Sequence, residues 1–162
     1  MACPWQGGVG RLKELLIVYH TQSGATLQLA HAALDGARSE ADCRSLILPA
    51  FEAGADDLRA ADGLVLCTPE NFGYISGGMK DFFDRTFYAV QAEQLNRACA
   101  LIISAGNDGS GALRQMQRIL RGYPMREVVE PLVLHGPPDP AALLKAYETG
   151  AALAAGLALG IF

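Results

Sequence analysis

Three hydroxyl side chains, a histidine, an amide and a glycine crowd into one short stretch, His20-Thr21-Gln22-Ser23-Gly24-Ala25-Thr26. The stretch follows an apolar run and precedes a segment with helical spacing. A helix start presents unpaired backbone N–H groups and the positive end of the helix dipole. Hydroxyls add donors, and Gly24 allows close backbone approach to a ligand. An ordinary helix cap needs only one such hydroxyl. The surplus points to a cradle for one phosphate dianion. The stretch holds no lysine, so it is not a triphosphatase P-loop, and no G-x-G-x-x-G is present. His20 either contacts the ligand or caps the preceding strand, since histidine serves both roles.

Two further segments could complete such a site. Pro69-Glu70-Asn71-Phe72-Gly73-Tyr74 joins two aromatics, a glycine and an amide in one loop before a helix. Phe72 and Tyr74 offer apolar walls for a planar ring, and backbone groups of residues 70–73 offer hydrogen bonds to its polar edge. Asn71 and Tyr74 are the candidates for touching a substrate. Ser104-Ala105-Gly106-Asn107-Asp108-Gly109 is small and polar, and allows a flat ligand to approach from a third side.

The elements that must position these segments alternate along the chain. Apolar runs at residues 15–19, 43–48, 63–68, 98–104 and 128–134 read as strands. Helical spacing marks residues 24–38, 76–89 and 110–121, with a short helix at 56–61 and a last one starting at Pro140. Pro69 closes the third strand, and Pro131 puts the fifth near a sheet edge. Strands apolar throughout imply a parallel sheet covered on both faces. Right-handed crossovers then favour a doubly wound α/β three-layer sandwich. In such a sheet, ligands bind beyond the carboxyl ends of the strands where the strand order reverses. The three segments follow strands one, three and four.

The chain has 162 residues, enough for one domain, expected over residues 11–162 after a flexible tail at 1–10. Apolar residues make up 51% and charged residues 19%, which excludes a disordered chain. With a net charge of -4 and no basic stripe, nucleic acid is not an expected partner. Residues 150–162 are apolar but too short to span a bilayer, so no membrane partner is expected. Cys3, Cys43, Cys67 and Cys99 form no C-x-x-C pair and no zinc pattern, so no metal is expected. A reduced compartment, the cytoplasm, is the simplest reading. Cys67 could be mistaken for a nucleophile, but Pro69 opposes the sharp turn an elbow nucleophile needs. His31 and His135 read as structural or surface groups.

The three loops together resemble the flavodoxin-like superfamily, in its NAD(P)H-dependent FMN reductase and quinone reductase branch. T-Q-S-G-A-T matches the flavodoxin pattern T/S-x-T/S-G-x-T, and P-E-N-F-G-Y-I-S-G-G-M-K-D-F-F-D-R is similar to the reductase segment. The resemblance runs from about residue 15 to 160. It implies a five-stranded parallel sheet of order 2-1-3-4-5 with helices on both faces. It implies FMN held noncovalently, its phosphate on Thr21, Ser23, Gly24, Ala25 and Thr26. Residues 69–74 would line the isoalloxazine and residues 104–109 would close its other edge. It further implies NAD(P)H as reductant, a quinone or flavin as small acceptor, and a homodimer or homotetramer. No protein acid or base is obligatory, because the flavin carries the chemistry.

Two other classes compete. A flavodoxin-type electron carrier shares the phosphate loop, but usually brackets its ring with Trp and Tyr, and the single tryptophan here is Trp5 in the tail. A phosphoacceptor receiver domain would need acidic residues after strands one and three and a lysine after strand five. This chain has His20, Cys67-Thr68 and His135-Gly136 there.

Overall fold

The computed structural model describes residues 11–162, so the tail expected at residues 1–10 lies outside the described residues. A central parallel sheet is built from β1 (Lys13–Tyr19), β2 (Cys43–Pro49), β3 (Gly63–Asn71) and β5 (Ala98–Ala105). The sheet order is β2-β1-β3-β5, with β6 (Arg126–Glu127) and β7 (Leu132–His135) together at the β5 edge. This is the expected 2-1-3-4-5 order, with the fifth position divided in two. The helices are α1 (Ala25–Arg38), α2 (Ala55–Ala60), α3 (Gly77–Val90), α4 (Ser110–Gly122) and α5 (Pro140–Ala158).

Strict alternation along the strands sends side chains to two separate cores. Leu16, Val18, Leu64, Leu66, Leu101 and Ile103 pack with Met79, Phe82 and Met116 of α3 and α4. Leu15, Ile17, Val65, Cys67, Ala100 and Ile102 pack with Leu29 and Ala33 of α1 and Leu153 and Leu157 of α5. Phe82 is fully buried, and truncating such a side chain to alanine typically costs about 3–5 kcal/mol.

Two expectations are corrected. The fifth strand is not continuous: β5 advances three residues between its pairings Cys99↔Glu127 and Ile102↔Leu132, while the edge chain advances five. Two residues are therefore looped out around Pro131, which has no N–H for the ladder. Nor does Pro69 end the third strand. It pairs with Ser104 on the parallel side, and β3 then runs on into a hairpin with β4 (Tyr74–Ile75), through Glu70↔Ile75 and Asn71↔Tyr74. The loop expected at residues 69–74 is thus largely a hairpin whose two turn residues, Phe72 and Gly73, have φ of 53° and 69°. That sign pattern is the tight turn matching the strand twist.

Among the described residues no helix is long and apolar enough to cross a membrane.

Candidate functional site

The carboxyl ends of β1, β3, β5 and β7 frame an open cleft of about 490 Å³. Gln22, Ser23 and Ala25 line one side, Pro69, Glu70 and Asn71 a second, and Ser104, Ala105 and Gly106 a third. The three expected loops therefore meet in one place.

The phosphate-loop side has the features an anion needs. Gly24 precedes α1 with φ 98°, a conformation that β-carbon-bearing residues avoid, and no side chain caps the helix. The other long helices each have a side-chain acceptor at their first turn. Ser76 Oγ accepts from Met79 N, Glu70 Oε2 from Ala112 N, and Asp139 Oδ1 from Ala142 N. At α1 that acceptor is missing, and its first turn holds no acidic residue. Thr21 Oγ1 accepts from Gly24 N at 2.9 Å, which shapes the loop and leaves the Thr21 proton to donate elsewhere.

Thr26 is placed differently from the cleft-lining residues. It is buried under the loop, with its hydroxyl 2.7 Å from Ser104 Oγ. His20 also lies outside the lining. Its ring packs edge-on to Phe51, with centroids 5.4 Å apart, and against Gly78 in the first turn of α3, where a β-carbon would collide with it. Its Nδ1 is buried without a partner, and burial holds its pKa below the ordinary histidine value.

The hairpin is fixed to α4 from behind. Besides the Glu70 bond, the Gly73 carbonyl sits so close to Gly111 that a β-carbon there would overlap it. Asn71 lines the cleft, and Tyr74, its partner in the hairpin, lines a second concavity between α3 and α4. Phe72 projects fully into solvent at the tip. Asn107 is exposed beyond the lining, and Gly109 is buried against Val133.

Sequence reasoning missed Gln28 and Gly136-Pro137-Pro138, which complete the lining. The last three follow β7 and carry the same strand-end signal as the other loops. Gln28 sits one turn into α1, on the face shared with the phosphate loop. His135 Nε2 lies 3.2 Å from the Asp108 carbonyl, joining the β7 end to the loop after β5.

The three cysteines among the described residues are buried and offer no nucleophile. Burial pushes the Cys43 thiol up to about 11 and Cys99 up to about 12, and drives Cys67 higher still.

The model of the NADPH-dependent FMN reductase family matches residues 18–136, the span from the end of β1 through the loop after β7. The chain belongs to that family. A flavodoxin from Aquifex aeolicus is 32% identical over 98 residues, covering 60% of this chain and 53% of that protein. An NAD(P)H dehydrogenase (quinone) from Acidithiobacillus ferrooxidans is 34% identical over 95 residues, covering 46% of this chain and 48% of that one. The chain thus spans about half the length of these curated relatives. A solved flavodoxin from the domain Archaea aligns with a TM-score of 0.78 at 21% identity, covering 89% of this chain and 98% of that one, and so shares the fold.

The residues of this FMN reductase-family chain fit the flavin. The uncapped α1 amides and the Ser23 hydroxyl suit a phosphate dianion. The Pro69–Asn71 and Ser104–Gly106 walls bring backbone and small side chains to either edge of a flat ring.

Proposed function

We propose that this domain binds FMN in the cleft and passes electrons from NAD(P)H to a small acceptor, a quinone or a free flavin. The observation that carries this reading is the uncapped start of α1 opening onto a cleft walled by the β3 and β5 loops. When bound, the flavin supplies the hydride and electron chemistry, which no side chain here can supply.

The chain's own residues bind and orient. Backbone amides at residues 25 and 26, with the Thr21 and Ser23 hydroxyls, hold the phosphate and set its register. Thr26 acts from below, by fixing Ser104. Asn71 and the backbone of residues 69–71 hold one edge of the ring, and residues 104–106 the other. Gly73 shapes the hairpin turn, and Gly109 the loop that carries residues 104–107. His20 acts as a wedge between Phe51 and α3 that sets where the phosphate loop leaves β1. The rigid β3–β4 hairpin limits water access along one rim. The same reading places the protein in the cytoplasm as a homodimer or homotetramer, in keeping with three free, buried cysteines among the described residues.

A second reading is an electron carrier without its own substrate, favoured by the Aquifex aeolicus flavodoxin match. One preparation separates the two. Purified protein should be yellow, release its flavin on acid precipitation, and oxidise NADPH or NADH in the presence of benzoquinone or free FMN. A yellow protein with negligible nucleotide oxidation is a carrier, and a colourless one that takes up no added FMN removes both readings.

A further inference from the structure

The outer face of α4 carries charge of one sign. Arg114, Arg118 and Arg121 are exposed, and their helical spacing puts them on one stripe about 10 Å long. The helix, Ser110–Gly122, holds no acidic residue, in a chain of net charge -4. Neither Arg118 nor Arg121 has an ion-pair or hydrogen-bond partner among the described residues. The carboxylates nearby are engaged. Asp108, facing Arg114, accepts from the Ser110 N–H and hydroxyl, and Glu127 accepts from Gln117. Asp84, across the concavity, is paired with Lys80 at 2.6 Å.

The stripe begins beside the hairpin. The Gly73 carbonyl lies against Gly111, about one turn before Arg114, and Phe72, next to Gly73, is fully exposed at the tip. Farther along, Arg118 shares the α3–α4 concavity with the exposed Tyr88. Arginines among exposed aromatics are the composition of protein-binding surfaces, where both residue types carry much of the energy. A typical complex covers about 800 Å² on each partner, a disc of about 16 Å radius. Centred on Arg114, that disc takes in the stripe and the hairpin tip. Asn71, next to Phe72 in the chain, lines the cleft.

The sign of the charge selects the occupant. A second copy related by a twofold axis would set arginine against arginine, because the same patch then lies on both sides. A lipid surface finds no apolar side of α4 to take, since Ala112, Met116 and Leu120 are buried in the core. Resting on the reading that FMN occupies the cleft, we propose that the Phe72 tip and the stripe of Arg114, Arg118 and Arg121 dock a small acidic electron-transfer protein, which exchanges single electrons with the flavin. When the reduced carrier docks, its centre loses one electron and the flavin gains it. Two encounters, with two protons from solvent, complete the reduction. Opposite charge draws the carrier to this one face of an otherwise acidic domain.

The test is stopped-flow mixing of the full chain, loaded with FMN, with a reduced acidic [2Fe–2S] ferredoxin, followed by bleaching of the flavin absorbance over a series of ionic strengths. The rate constant should fall as salt rises, as it does for opposite charges. Arg118→Glu combined with Arg121→Glu should slow the reaction at least about tenfold at low salt and remove the salt dependence. Phe72→Asn should slow it at every ionic strength. Once reduced by dithionite, the charge-reversed protein should pass two electrons to benzoquinone as fast as the wild type does, because that small neutral acceptor needs no docking face. Both arginines are exposed, so the double variant keeps its fold and its melting temperature. No electron transfer from the ferredoxin, a wild-type rate indifferent to salt, or a rate unchanged in the double variant overturns the assignment and leaves the flavin reading standing. A wild-type oligomer that the double variant dissociates overturns it too, since the face would then meet a second copy of the chain. A protein that takes up no FMN removes the cleft reading, and this inference with it.

Discussion

Thr26 Oγ1 and Ser104 Oγ lie 2.7 Å apart, and both side chains are buried. The pair joins the first turn of α1 to the end of β5, so two walls of the cleft are held at a fixed spacing from beneath. Removing one hydroxyl leaves the other buried and unpaired, at a cost of about 1–3 kcal/mol, whereas removing both is close to neutral. Thr26→Val and Ser104→Ala should therefore each lower the urea midpoint, and the double variant should lose less than the sum. Strictly additive losses would show that the two hydroxyls do not depend on each other.

At the α1 start, the phosphate contact is read in flavin affinity. Ser23→Ala should remove one charge-assisted hydrogen bond worth about 1.5–3 kcal/mol, roughly a tenfold to hundredfold rise in the FMN dissociation constant. Gly24→Ala should add strain of about 1–2 kcal/mol at φ 98° and weaken the flavin as well. Flavin fluorescence quenching on titrating apoprotein measures both. An unaltered affinity in Ser23→Ala would take the phosphate away from this loop.

These two predictions also show what was legible in the sequence. The parallel order followed from unbroken apolar strands at 15–19, 63–68 and 98–104, because residues buried on both faces leave no alternation to misread. The meeting of the three loops followed from that order. The direction of individual side chains did not. Tyr74 reads as a ring-facing aromatic, whereas the structure has it lining the concavity between α3 and α4. Thr26 reads as a phosphate donor, and the structure adds a partner for its hydroxyl in Ser104, far away in sequence. Both outcomes depend on tertiary register, which local composition does not encode. Pro137 and Pro138 were legible in principle, since they follow the fifth strand, but the split at Pro131 obscures where that strand ends.

His20 gives a pH dependence with a definite sign. Burial lowers its folded-state pKa below the ordinary value, so the folded protein takes up this proton less readily than the unfolded chain. The contribution to stability is complete above the unfolded value of about 6.5, and is lost as pH falls from there through the lower folded value. His20→Gln removes the titrating group. The drop in melting temperature between pH 7.5 and pH 5 should be smaller in this variant than in the wild type. Equal drops would mean that His20 protonates freely in the folded protein.

Phe72 sets backbone geometry against side-chain type. Its φ of 53° is a conformation that a bulky residue rarely adopts and that asparagine tolerates better. Its side chain is fully exposed, so no buried contact offsets the strain. Phe72→Asn should therefore stabilise the hairpin, by about 1 kcal/mol, the low end of the usual range for such outliers. Thermal and urea unfolding of apoprotein measure this without interference from bound flavin. Because the Gly73–Gly111 contact and the Glu70–Ala112 bond lie behind the turn, the hairpin should keep its place on α4. A destabilised Phe72→Asn protein would show that the aromatic ring makes a compensating contact in solution, and that the tip is covered rather than free.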